Sequence, residues 1–129
     1  MTLSEIKDFL KTRIDCPNWY TGKRDEAKEY SITVYPTQGP APVIPIGGLK
    51  NKSYNSKAVS VLVHWGRECT PAEVKAQEVF DALFCQTGVI GGKQVTMFDM
   101  RSDSPVGVGT DEKGYYEYVI NFVVYYRKG

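Results

Sequence analysis

Apolar positions recur along this chain at two spacings, and the switch from one to the other marks its elements. Leu3, Ile6, Phe9, Leu10 and Ile14 fall three or four residues apart, the repeat of one helix face. Thr2 followed by Glu5 has the form of a capping box, in which a hydroxyl and a carboxylate each satisfy a free backbone N–H of the first turn. A first helix is predicted over about 3–14. Cys16-Pro17-Asn18 ends it, Trp19-Tyr20 admits a short strand, and Gly22-Lys23-Arg24-Asp25 reads as a polar turn. From Glu29 to Thr37 the spacing becomes two, Tyr30, Ile32 and Val34 alternating with Ser31, Thr33 and Tyr35, which predicts a strand. Val59, Val61, Val63 and Trp65 repeat the pattern against Ser60, Leu62 and His64, in a second strand stopped by Gly66.

Between these strands the pattern is lost. Pro36, Gly39, Pro40, Pro42, Pro45, Gly47 and Gly48 remove ladder donors, so an extended arm over about 36–57 is expected to leave the domain. The arm carries Lys50, Lys52, Tyr54 and Lys57 and no acidic residue, which makes it locally basic. Loops of this length inside a compact domain are often functional.

Helical spacing returns after Thr70-Pro71-Ala72-Glu73, which reads as an N-cap threonine, a proline at the first helical position and a glutamate at the third. Loss of that hydroxyl is expected to cost about 1 kcal/mol. Val74, Ala76, Val79, Phe80, Leu83 and Phe84 form a broad apolar stripe running to about Gln86, with Gly88 as the stop. A third strand is predicted over Gln94 to Met100, a second long loop over Ser102 to Gly114, and a last strand over Tyr115 to Tyr126. That last run has no Gly or Pro, and both of its faces are largely apolar: Tyr116, Tyr118, Ile120, Phe122, Val124 and Tyr126 on one, Tyr115, Val119, Val123 and Tyr125 with Glu117 and Asn121 on the other. A strand apolar on both faces needs cover on both. The element order predicts a single α+β domain over 1–129, with about four mainly antiparallel strands and two helices on one face, the other face left to solvent or a partner.

Composition narrows the chemistry. Sixteen basic and fifteen acidic residues give a net charge of +1, so no overall field favours nucleic acid or an anionic membrane. Three lysines without arginine or a stacking series add little to a nucleic-acid reading of the arm, and no direct sequence-specific binding of that kind is expected. Cys16, Cys69 and Cys85, odd in number and scattered, argue against a disulfide framework and for buried thiols in a reducing compartment. The N-terminus lacks a secretory pattern and no stretch is long enough to span a bilayer, so a soluble, unexported protein is expected.

No assembled reactive centre is apparent. His64, the only histidine, has no ligand partners at zinc spacing and reads as a satisfied or partner-facing side chain. None of the cysteines has a neighbouring base and oxyanion hole in pattern. Gly47-Gly48, Gly91-Gly92 and Gly107-Val108-Gly109 lack the strand-before, helix-after context of a phosphate loop and read as turns and bulges. Asp99, Asp103, Asp111 and Glu112 are accompanied by Arg101 and Lys113, as in an ion-paired loop. Neither enzymatic activity nor a cofactor or metal is expected. Nine tyrosines, five of them between Tyr115 and Tyr126, supply rings suited equally to sheet packing and to an interface.

The stretch from Ser104-Pro105 through Asp111-Glu112-Lys113-Gly114 to Tyr116-Glu117-Tyr118-Val119-Ile120-Asn121-Phe122 resembles the C-terminal region of phage minor capsid and tail terminator proteins. In those proteins a Pro-containing loop, an Asp-x-x-Gly turn and a Tyr-Glu-Tyr-x-x-Asn-Phe strand follow in this order. The layout of the remaining elements matches as well. The resemblance implies a non-enzymatic virion subunit at the tail neck, assembled in the bacterial cytoplasm as a homo-oligomeric ring, usually a hexamer, that caps the tail tube. It would then have three kinds of partner: itself, the tube protein, and head connector, sheath or neck proteins. A tail-like bacteriocin could use the same cap, and a head-completion or connector adaptor is the alternative. For such a subunit Lys50, Lys52, Tyr54, Lys57, Arg101, Asp111, Tyr116 and Tyr118 are the expected protein-interface residues.

Overall fold

A computed structural model describes residues 1–23, 28–38 and 54–127. Among these the order is α1 (Leu3–Lys11), β1 (Trp19–Thr21), β2 (Tyr30–Pro36), β3 (Tyr54–Trp65), α2 (Cys69–Asp81), β4 (Gly88–Ile90), β5 (Lys93–Met100), β6 (Val106–Thr110) and β7 (Tyr116–Arg127). The strands form one sheet in the order β1-β2-β3-β7-β5-β4, with β6 paired to β7 beside that path. The α+β class stands, but the sheet has seven strands, not about four, and it is mixed, because β1 runs parallel to β2.

β7 is the spine. One of its edges pairs with β3 from Glu117 to Arg127. The other is divided, Tyr116 to Val119 pairing with β6 and Phe122 to Tyr126 with β5. Cross-strand register places Val34, Val61 and Ile120 in one row and Val59 and Phe122 in the next, all on the face that receives the helices. Ile6, Phe9 and Leu10 of α1 and Ala76, Val79 and Phe80 of α2 pack onto these rows in a single core, so both helices do lie on one face. The opposite face is not simply open. Ser31, Thr33, His64 and Val123 are buried there, and the Ser31 and Thr33 hydroxyls have no hydrogen-bond partner among the described residues.

Several sequence expectations need correction. The Thr2–Glu5 capping box forms, but α1 stops at Lys11, where Thr12 bonds back to the Phe9 carbonyl at 2.6 Å. Helix α2 begins at Cys69 with Glu68 as its cap residue, and no side chain caps it, so Thr70 is not the N-cap. Pro71 misleads here because every position of a first turn has an N–H without a helical acceptor, and proline is tolerated at more than one of them. The helix ends at Asp81, and the left-handed residue beyond it is Cys85, with φ of 57°, rather than Gly88, which opens β4. The loop expected over 102–114 contains β6. Tyr54 to Lys57 belong to β3 and Pro36 to β2, so the arm is shorter than 36–57; of the remaining 37–53, residues 39–53 lie outside the described residues.

Two of the three glycine groups behave as turn and bulge residues, while Gly47-Gly48 lies outside the described residues. Gly91 and Gly92, both at positive φ (56° and 78°), close the two-residue β4–β5 hairpin, as a type I′ turn requires. A Cβ at Gly91 would overlap the Glu5 carboxylate, so the hairpin and the α1 capping box abut. Gly109, at φ 90°, sits where the β6–β7 register shifts.

The two faces of β7 predict different mutational costs. Phe122→Ala, emptying a fully buried site, should cost about 3–5 kcal/mol in urea unfolding. Val119→Ala, half-buried on the opposite face, should cost about 1 kcal/mol. Equal losses from the two would contradict the one-sided core.

Candidate functional site

The side chains singled out by the sequence are not gathered in one place. Tyr54 and Lys57 lie at the end of the sheet where β3 meets the C-terminal half of β7, and Tyr54 packs edge-on to Tyr125 with ring centroids 5.7 Å apart. Asp111, Tyr116 and Tyr118 lie at the other end, roughly 30 Å along the strands at about 3.4 Å per residue. Arg101 falls between them, its N–H donating to the Asn121 carbonyl at 2.9 Å and its guanidinium 3.2 Å from Asp99. Lys50 and Lys52 are outside the described residues.

At the Asp111 end a polar cluster fixes the β6–β7 turn. His64 is fully buried on β3; its Nδ1 faces the Glu29 carbonyl at 2.9 Å and its Nε2 the Asp111 Oδ2 at 2.8 Å. A carbonyl and an ionised carboxylate both accept, so both bonds form only when each ring nitrogen carries a proton. The other Asp111 oxygen accepts from the backbone N–H groups of Lys113 and Tyr115 at 2.9 and 3.0 Å. Partial burial opposes ionisation of Asp111, but these hydrogen bonds, led by the one from His64, outweigh it and hold the carboxyl down at about 2. Tyr115 stands edge-on to the His64 ring with centroids 5.0 Å apart. Arg67 lies over the other side of the turn, its guanidinium 4.8 Å from the Tyr115 ring and its Nε donating to the Lys113 carbonyl at 3.1 Å.

His64 is therefore satisfied within the fold, and Asp111, expected at an interface, is engaged internally. The pairing spans 47 positions of sequence and no spacing rule could have found it. Among the described residues no three His, Cys, Asp or Glu side chains are placed to share a metal ion. The expectation of buried thiols fails for two of three: Cys69 and Cys85 are exposed and only Cys16 is half-buried. Burial pushes the Cys16 thiol up, the wrong direction for a nucleophile. Cys69 instead approaches the Tyr118 hydroxyl at 3.9 Å, and burial followed by that contact raises the Tyr118 phenol.

The remaining surface of note is a sheet edge. β4 covers β5 only at Lys93 to Val95, so Thr96 to Met100 have one edge unpaired among the described residues. β6 likewise pairs on one side only, with all five residues exposed. Beside the open β5 edge is a groove of about 590 Å³ lined by Phe84, Cys85, Met97, Phe98, Asp99 and Met100 among others. Edges of this kind are usually blunted by charge, proline or cover.

The family model for bacteriophage tail terminator proteins matches residues 10–127. The chain belongs to the bacteriophage tail terminator family. Membership makes it a structural protein of the phage tail, located in the virion, in a family with no known enzymatic role. Among curated proteins none matches. One solved structure resembles it with a TM-score of 0.57 at 16% identity, over 100% of this chain and 97% of that one, which shows a shared fold. Among the described residues no helix is long and apolar enough to cross a membrane.

Two predictions follow from the turn cluster. His64→Ala strands the Asp111 carboxylate and should cost about 3 kcal/mol in chemical denaturation. Because Asp111 titrates at about 2 in the folded chain against an ordinary 3.8, its contribution is fully present above pH 4 and lost as pH falls toward 2. Asp111→Asn should therefore flatten the acid limb of stability between pH 4 and 2, and an unchanged slope would show that the pair does not stabilise the fold.

Proposed function

We propose that copies of this chain close into a ring on the head-proximal end of the tail tube, end tube polymerisation and present a docking surface to the head connector or to sheath and neck proteins. Family membership, together with a sheet whose β5 and β6 edges are unpaired among the described residues, is what supports this reading. A ring needs one patch that meets a different patch on the next copy, with a rotation that closes. The chain offers two such regions at opposite ends of β7. One is the Tyr54–Lys57 end; the other is the Asp111 turn with Tyr116 and Tyr118, and Arg101 stands between them, while Lys50 and Lys52, proposed as contacts too, lie outside the described residues. Six copies is the expected number, in a phage or in a tail-like bacteriocin particle. Tyr116 and Tyr118 act as contact rings, and Arg101 to Gly114 rims the ring.

A connector adaptor of the phage neck is the second reading, favoured by the rigidity of the turn held by His64 and Arg67, since a fixed rim suits docking to a fixed portal. Particles assembled without the protein separate the two. Overlong tails are expected for a terminator, whereas tails of normal length that fail to join heads would overturn that role in favour of the adaptor. Native mass measurement of the purified chain should give a six-copy species, and a monomer even in the presence of tube protein would count against the ring.

A further inference from the structure

Three segments far apart in sequence meet on one buried ring. His64 of β3 is fully enclosed, with Nδ1 2.9 Å from the carbonyl of Glu29, just before β2, and Nε2 2.8 Å from Asp111 in the β6–β7 turn. Neither neighbour has a proton to give. A backbone carbonyl only accepts, and Asp111, titrating at about 2, is a carboxylate at higher pH. Both contacts are hydrogen bonds only while the ring is an imidazolium, since a neutral imidazole has one N–H for two acceptors. The other ionisable groups around the ring are Glu117, its cross-strand neighbour on β7, and Tyr115, edge-on to it from the turn. Arg67 lies beyond Tyr115, over that ring, and donates to the Lys113 carbonyl.

The two contacts of His64 are unequal. A hydrogen bond to a carboxylate is stronger than one to a neutral carbonyl, so a ring with a single proton keeps it on Nε2 for Asp111. The Nδ1 lone pair then faces the Glu29 oxygen, two acceptors 2.9 Å apart. The other donor to that oxygen among the described residues is the Gly66 N–H, at 3.4 Å, longer than a good N–H to O bond. Glu29 and Gly66 also wall a cleft of about 200 Å³ with Tyr30, Trp65, Arg67 and Glu68. It lies at the Asp111 end of the sheet, where the Gly66 carbonyl accepts from the Tyr116 N–H at 2.9 Å.

We propose that His64 is a proton-operated latch: as an imidazolium it ties the Glu29 segment to the β6–β7 turn, and when it loses a proton as pH rises the Glu29 side lets go while the Asp111 side holds. The latch is closed on the acid side of the imidazole titration and open on its alkaline side. This is opposite in sign to the Asp111 contribution, which is lost toward pH 2. Because Glu29 walls the cleft, the surface at this end of the sheet changes with the state of one buried proton.

Ring ¹⁵N and ¹H shifts of the whole chain report the protonation of His64, the only histidine, and amide exchange expressed as protection at each pH reports the two sides separately. Across the imidazole titration, protection of the Gly66 N–H should fall about tenfold, the effect of weakening the contacts of one buried carbonyl. That of Lys113 and Tyr115, whose N–H groups bond Asp111, should change less than about twofold. His64→Gln, which carries its donors on one atom, should show low Gly66 protection at every pH with the turn still protected. If that variant fails to fold, the wild-type titration decides alone. Protection lost at Lys113 and Tyr115 instead, protection unchanged on both sides, or a ring that stays charged until the whole chain unfolds would each overturn the latch.

Discussion

Hydrogen bonding along both edges of β7 is the constraint on which the other elements depend. β3 occupies one edge for almost its whole length, and β5 and β6 share the other end to end. Through β7 alone the β5–β4 hairpin joins the half of the sheet formed by β1, β2 and β3. A strand with partners on both sides must suit two faces and two edges at once, which explains why it contains neither glycine nor proline and why aromatic and β-branched side chains fill it. Ile120, Phe122 and Val124 then fix where the helices can rest, because α1 and α2 pack on the rows these residues share with Val59, Val61 and the β2 valine.

The division of the second edge has a chemical consequence at each end. Where β6 takes over, its chain must turn back into β7 within a few residues, and the turn is held by a buried histidine, an ionised aspartate and an arginine lying over a tyrosine ring. Where β5 takes over, β4 is too short to cover it, and among the described residues nothing else pairs with that edge, which lies beside an exposed phenylalanine. One end of the strand is closed by its own polar network, and the other has no such network among the described residues.

Elements with a sustained period were legible in the sequence: β2, β5, β7, most of β3 and the first helix with its capping box. What escaped was short or chemically atypical. Three-residue strands such as β4 have no period to detect, and β6, with glycine at alternate positions, looks like loop until a neighbour pairs with it. Tyr54 to Lys57 seemed part of the arm because polar residues dominate them; cross-strand pairing to Val124 through Arg127 makes them strand. The start of α2 was displaced because proline and threonine fit several positions of a first turn. As for the site, residue types left His64 as either satisfied within the fold or facing a partner; the structure decides for the first, but its partner, Asp111, is a tertiary neighbour that no local pattern encodes. Of the interface residues chosen from sequence, Tyr54 and Lys57 occupy one end of the sheet, Asp111, Tyr116 and Tyr118 the other, and Arg101 stands between them.

Ser31 and Thr33 carry a meaning of their own. Their hydroxyls are enclosed on the sheet face away from the helices with no hydrogen-bond partner among the described residues, and burying such a group typically costs about 1–3 kcal/mol. Alanine and valine would fill the same space without that penalty. The fold accordingly holds β2 less stably than its packing permits, and two conservative replacements would recover that margin.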